Sequence, residues 1–298
     1  KKFNVIKFYP EKSNDMRPRL QTEFKTLKFL YKKSVFNIPK PIEKDDNLNI
    51  GIYEWIEGRS FKRPNQSDIN QAIEFVKILY ALSKSKDARN IKFASESCLS
   101  AIDLINQIDK RFKKLKKVND LKLRNFLNFT FAPLWIKVKK ESFHKWPILS
   151  RNQALTKENQ TLSPSDFGFH NALKKNMNGK ITFIDFEYFG WDDPVKLTAD
   201  FLWHPSMLLD KKNIKQWNTS MIKIFCKDEY FEARLLASMP LFGLRWAMII
   251  LNEFLPGMIS RRKNVIQLKS FNKNSILNSQ LNKAHKYCLK VENCLNNF

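Results

Sequence analysis

One stretch constrains the fold more than any other. It runs Leu162-Ser163-Pro164-Ser165-Asp166-Phe167-Gly168-Phe169-His170-Asn171, then Ala172 to Lys175, then Asn176-Met177-Asn178-Gly179, and closes on Lys180-Ile181-Thr182-Phe183-Ile184-Asp185-Phe186-Glu187. An Asn-Gly pair between alternating apolar residues is a strong hairpin signal, because Asn and Gly accept the positive φ that a tight turn demands. A hairpin here leads away from the loop around Asp166 and brings Asp185 back beside it.

That grouping suits one chemistry. Phosphoryl transfer needs a carboxylate to orient the attacking hydroxyl and accept its proton, and oxygen ligands to hold Mg²⁺ against the nucleotide phosphates. Asp166, Asn171 and Asp185 meet the requirement. The five-residue step from Asp166 to Asn171 is the spacing of a kinase catalytic loop, in which the Asp faces the acceptor and the Asn reaches the metal. Asp185 then supplies the metal carboxylate. Asp166-Phe167-Gly168 also spells the tripeptide that carries the metal-binding aspartate of protein kinases. That alternative requires a catalytic aspartate one hairpin upstream, and no Asp occurs between Asp120 and Asp166.

Hydrophobic periodicity divides the rest. Residues 3–9 read as a strand ended by Pro10, which cannot donate to a ladder. In residues 17–32, Leu20, Phe24, Leu27 and Leu30 recur at helical spacing, with Glu23 between them. Residues 37–41 form a proline-stiffened connector, and residues 48–56 a further strand stopped at Gly58. These make a small lobe, residues 1–58. Residues 59–298 are expected to be mostly helical: 67–88 with Ser67 as N-cap, 97–115, 121–143, 228–254 bent at Pro240, and 275–294. The Lys/Asn-rich segment 260–274 reads as a loop. The fold class is α+β.

Composition excludes several classes. With 298 residues and 43% hydrophobic content the chain can bury a sizeable core. Its net charge of +24 is spread along the sequence without a dominant block, and no zinc-finger, homeodomain or RNA-binding signature accompanies it, so nucleic acid is not the expected partner. Four scattered cysteines and four scattered histidines give neither a disulfide framework nor a zinc site. Pro240, Arg245 and Glu253 interrupt the longest apolar stretch, so no membrane span is expected, and the cytoplasm is the default compartment. Oligomeric state leaves no signature.

The order Asp-x4-Asn, hairpin, Ile184-Asp185-Phe186-Glu187, then Asp192-Asp193-Pro194 resembles the aminoglycoside phosphotransferase and choline kinase family, and the resemblance extends over nearly the whole chain. It implies a bilobal protein-kinase-like fold, ATP and Mg²⁺ as cofactors, and a small-molecule hydroxyl as acceptor. Val5-Ile6-Lys7 resembles the strand that carries the phosphate-contacting lysine, and Glu23 stands where its partner glutamate is expected. Glu54-Trp55-Ile56-Glu57-Gly58 resembles the hinge, with Glu54 and Ile56 implied as backbone contacts to the adenine edge.

Three departures bear on this. Pro164-Ser165 stands where the family usually has His-Gly. Glu187 replaces a second Asp common in the aminoglycoside enzymes, although Asp-Phe-Glu-Tyr is similar to choline kinases. The chain begins at the lysine strand, which reads as a fragment of a longer chain or an abbreviated lobe. A second reading therefore stays open, a catalytically weak kinase-shaped binding or regulatory protein. Glu187, Trp191 and Trp203, with Tyr188, Asp192, His204, Trp246 and Glu253, form an aromatic and acidic neighbourhood suited to a cationic acceptor, an amino alcohol or amino sugar. Core packing is the other use for those tryptophans. Asp193 and Asp200 are expected to hold local structure.

Overall fold

Antiparallel pairing sets the first layer. In the computed structural model, which describes residues 3–11, 15–177, 179–258 and 272–296, β1 (Asn4–Phe8) pairs with β3 (Ile50–Glu54), and β3 pairs with β2 (Pro41–Asp45), giving the order β1-β3-β2. The expected connector at 37–41 thus ends on a strand, its Pro41 at the first strand position, where a missing N–H is tolerated. Gly51 lies opposite Lys7, and a Cβ there would sit 2.4 Å from the Tyr53 hydroxyl, so glycine makes room for that ring.

Helix α1 (Arg19–Lys32) buries the expected stripe of Leu20, Phe24, Leu27 and Leu30, and Glu23 with it. Helix α2 (Gln66–Ser83) starts two residues earlier than an N-cap at Ser67 implies. Its N-cap is Asn65 rather than Ser67, in a capping box with Asp68, which satisfies two end groups reciprocally where Ser67 would satisfy one.

Two short strand pairs and their loops follow. β4 (Thr161–Ser163) pairs with β7 (Gly190–Asp192), and β5 (Ala172–Lys174) pairs with β6 (Ile181–Phe183). The β5–β6 pair is the predicted hairpin; Gly179 takes the expected positive φ of 65°, while Asn178 lies outside the described residues. Beneath it Phe75, Phe167, Phe183, Phe201 and Trp217 stack with centroid separations from 3.7 to 6.3 Å. Helices α6 (Pro194–Trp203) and α7 (Lys211–Ile224) complete this part. Asp193 caps α6 through the Val195 N–H, and Asp200 pairs with Lys196, the structural parts expected of both.

These elements form one compact unit, residues 1–97 with 156–228. The cut differs from the expected one at residue 58. Arg59 and Lys174 exchange backbone hydrogen bonds of 3.0 and 2.9 Å, and the Phe183 N–H donates to Asn37 O at 2.9 Å, so the opening sheet is knitted to the hairpin.

The second unit, residues 98–155 with 229–298, is helical in its described residues. It holds α3 (Ala101–Lys116), α4 (Leu121–Asn125), α5 (Ala132–Lys145), α8 (Phe231–Ile250) and α9 (Lys273–Asn296). The single helix expected over 121–143 is broken by a π-helical stretch, Phe126–Phe131. Pro133 explains the break: it has no N–H to offer the preceding turn, and its ring crowds the carbonyl there. Helix α8 continues past Pro240, and the segment Phe231–Phe254 is long and apolar enough to cross a membrane, yet 78% of its apolar window is buried within the protein. Arg245 on it donates to Gln107 Oε1 at 3.1 Å. Most of the expected loop at 260–274 lies outside the described residues.

Candidate active site

The loop between β4 and β5 and the loop between β6 and β7 lie side by side, because each strand pair anchors one end of both. The Ile184 N–H donates to Asn171 O at 2.9 Å, placing Asp185 one residue from the end of the Asp166 loop.

Ser165 has φ 68°, a left-handed conformation that costs a side-chain-bearing residue about 1 kcal/mol or more. Three hydrogen bonds hold it there. Its N–H donates to Ser163 Oγ at 3.0 Å, its hydroxyl donates to Ser95 O at 2.9 Å, and Lys196 Nζ donates to its Oγ at 3.0 Å. The departure from His-Gly is thus accommodated by side-chain bonds that glycine could not make.

Asp166 follows. His170 Nε2 meets its Oδ1 at 2.9 Å, and Asn171 Nδ2 donates to its carbonyl at 3.0 Å. Burial pushes the Asp166 carboxyl up, and the His170 hydrogen bond and charge overcome it, leaving the group below its ordinary value. The His204 ring stacks on His170 at 3.6 Å and 9°. Burial, then His170, hold His204 down at about 4. Asp166, His170 and His204 bring three possible ligand atoms within 4.8 Å of one another, but the two rings are nearly parallel, so their in-plane lone pairs do not converge on one ion.

Asp185 also has a positive φ, 66°. Lys7 Nζ joins it at 2.7 Å, and reaches Glu23 Oε2 at 2.6 Å and Glu187 Oε2 at 3.2 Å. Burial pulls the Lys7 ammonium down, and the three carboxylates more than reverse it, holding it above an ordinary lysine. Burial raises the Asp185 carboxyl, Lys7 opposes, and Glu187 adds to the rise. Glu23, 4% exposed, is raised by burial, and it also accepts the Tyr9 hydroxyl at 2.5 Å and the Phe186 N–H at 3.1 Å. Helix α1 is thereby pinned to the Asp185 loop.

Sequence comparison finds no matching family profile and no matching curated protein. Solved structures do match. A putative aminoglycoside phosphotransferase from Ralstonia eutropha aligns with a TM-score of 0.57 at 13% identity, over 96% of this chain and 86% of that one. A choline kinase from Cryptosporidium parvum aligns at 0.58 and 12% identity, over 99% and 83%, and one from Streptococcus pneumoniae at 0.54 and 15%, over 97% and 86%. The chain has their protein-kinase-like α+β fold.

In this kinase-like fold Lys7, Glu23, Asp185 and Glu187 meet directly, and Asp166 and Asn171 share the adjacent loop. Glu54 ends β3, its N–H donating to Lys40 O at 2.9 Å, and Ile56 lies two residues beyond. Trp191 and Trp203 are placed otherwise than an acceptor pocket requires. They are 3% and 2% exposed, and the Trp191 indole donates to Ala88 O at 3.0 Å, so packing claims both. Glu187 is at the site but engaged: Arg19 Nη1 donates to its Oε1 at 2.7 Å.

Sequence reasoning missed Arg19, Asp15, Tyr9 and Tyr53. Asp15 binds both Arg17 and Arg19, and the guanidinium of Arg17 and that of Arg19 lie 4.7 and 5.0 Å from the Tyr188 ring. The spacing Asp15, Arg19, Glu23 runs at four-residue intervals and was the one available signal. His170 stood inside the decisive motif, but nothing in its spacing paired it with His204.

Proposed function

We propose that this chain is an ATP- and Mg²⁺-dependent phosphotransferase that phosphorylates a hydroxyl of a small molecule, an amino alcohol, amino sugar or sugar. The observation that carries the reading is Lys7 bonded at once to Glu23 on α1 and to Asp185 on the loop after β6, beside the loop of Asp166. That meeting joins three distant parts of the sequence into a phosphate-and-metal clamp.

Asp166 is the proton acceptor. Its lowered carboxyl is ionised at neutral pH, and one carboxylate oxygen takes the acceptor's hydroxyl proton as the acceptor's own oxygen bonds to the γ-phosphorus and the bond from that phosphorus to the β–γ bridging oxygen breaks, releasing ADP. Lys7 contacts the phosphates, with Glu23 fixing the direction of its side chain. The residues present suit Mg²⁺: Glu23, Asp185 and Glu187 crowd carboxylate oxygens within 4.8 Å, and the Asn171 amide nitrogen is spent on Asp166 O, which leaves its carbonyl oxygen as a hard donor. Asp185 and Asn171 would hold the ion, which when bound offsets the phosphate charge that builds up during transfer. At the end of β3, the Glu54 carbonyl and the Ile56 N–H address the adenine edge, since the Glu54 N–H is taken by Lys40.

The test is ATP consumption by the purified chain with Mg²⁺ across amino alcohols, amino sugars and neutral sugars, for wild type and Asp166→Asn. Acceptor-dependent turnover in the wild type, reduced about 10²–10⁴-fold in the variant, supports the reading. Equal turnover in both, or none with any acceptor, counts against it.

A further inference from the structure

A cavity of about 460 Å³ lies beside α1, within the range of small-molecule pockets. One wall is the face of α1 bearing Thr22, Lys25 and Phe29; Lys92, Phe93 and Tyr188 line it from the segments that carry them. Those two segments are tied together: the Trp191 N–H donates to Lys92 O at 3.0 Å, the Ala94 N–H to Trp191 O at 2.9 Å, and the Ser95 N–H to Tyr188 O at 3.0 Å. Gly190 permits the contact, since a Cβ there would lie 2.5 Å from Lys92 O.

The lining has a definite chemistry. Arg17, Lys25 and Lys92 contribute three cations, against one carboxylate, Glu187. That carboxylate is neutralised from within, by Arg19 at 2.7 Å and Lys7 at 3.2 Å, and Arg17 is matched by Asp15. Lys25 and Lys92 are exposed, and the rings of Phe29, Phe93 and Tyr188 supply apolar area, Phe93 being 57% exposed. Positive charge beside aromatic faces selects an anion carrying a flat ring.

We propose that this cavity binds a small aromatic anion, its ring against Phe29, Phe93 and Tyr188 and its charged group beside Lys25 and Lys92. The site goes beyond the phosphotransfer reading and shares only Glu187 with the Lys7 cluster. Its position couples the two: α1 carries Glu23, the segment ending in Tyr188 carries Asp185, and the Phe186 N–H bonded to Glu23 at 3.1 Å links them. A ligand between them braces α1 against the Asp185 loop.

Calorimetric titration without nucleotide tests this, using naphthalene-2-sulfonate and its neutral counterpart naphthalene-2-sulfonamide. The wild type should bind the sulfonate at one saturable site and the sulfonamide about tenfold more weakly, the worth of one charge-assisted contact. Lys25→Glu with Lys92→Glu should weaken sulfonate binding by a further tenfold or so on the same basis. Lys92→Gln alone provides a milder change in an exposed side chain should the double variant misfold. Lys223→Glu with Lys227→Glu, which alters a basic groove between α2 and α7, should leave binding unchanged. No saturable binding, equal affinity for the sulfonamide, or equal losses in the two double variants would overturn the proposal. Because the readout is binding without ATP, failure here leaves the phosphotransfer reading untouched.

Discussion

Lys196 Nζ donates a 3.0 Å hydrogen bond to Ser165 Oγ while forming ion pairs with Asp192 at 2.9 Å and Asp200 at 3.5 Å, all but sealed from solvent at 1% side-chain exposure. A buried cation thus supports the residue before Asp166. Ser165→Gly should change stability by no more than about 1 kcal/mol, because relief of the left-handed strain offsets the lost hydroxyl bonds. Lys196→Met should cost about 3–5 kcal/mol, since it strands the buried Asp192 carboxylate. Urea unfolding of the two variants measures both. A Lys196→Met protein as stable as wild type would show that the ion pairs do not hold this loop.

Trp191→Ala should act through the fold. The indole is 3% exposed, donates to Ala88 O, and lies under the Lys157 ammonium at 3.3 Å from the ring centroid. Truncation should cost about 3–5 kcal/mol, as for other buried aromatic residues. Melting temperature should fall clearly, while the KM ratio between cationic and neutral acceptors stays put. A selective rise in KM for cationic acceptors in a normally stable variant would return Trp191 to the acceptor pocket.

The metal and base assignments separate by binding. Asp185→Ala removes one of few hard oxygens and should weaken Mg²⁺–ATP affinity by about tenfold or more. Asp166→Asn should leave that affinity within a few-fold, because the Lys7 clamp is intact. Calorimetry with a non-hydrolysable ATP analogue distinguishes them, and equal effects would dissolve the division of labour.

The sequence disclosed what depends on local spacing. The Asp166-to-Asn171 interval, the Asn-Gly turn and the stripe of α1 were legible because hairpin and helix periods are short-range properties, while the kinase-like fold was implied by the family resemblance those motifs carried. The position of Glu23 beside Lys7 was legible only through the family resemblance, since sixteen residues separate the two. Ser165 held left-handed by Ser95 and Lys196 was not legible, because its partners come from residues 70 before and 31 after it. The stacking of His204 on His170 and the service of Arg19 to Glu187 were hidden for the same reason. Trp191 and Trp203 show the limit of composition: an aromatic beside a motif reads alike whether it lines a pocket or fills a core, and only burial decides.

His204 makes stability depend on pH. Burial, then the neighbouring His170, hold its folded value at about 4, while Asp166 and Asp200 pull the other way and are outweighed. The unfolded chain restores the ordinary value of about 6.5. Between these limits the unfolded state binds a proton that the folded state refuses, so folding free energy rises with pH across this window. The contribution is complete above pH 6.5 or so and is lost progressively on acidification towards about 4, a total of about 3 kcal/mol for a shift of this size. Asp166 has the opposite kind of shift for its type, a carboxyl lowered in the folded state, so its stabilisation persists through this window and is lost only below the ordinary carboxylate range. The two contributions therefore occupy different pH windows. His204→Gln removes the first and keeps a planar polar side chain of similar reach. Unfolding free energies from pH 7.5 to 4.5 should fall more steeply for wild type than for the variant, and parallel curves would mean that His204 takes up its proton in the folded protein as readily as in the unfolded chain.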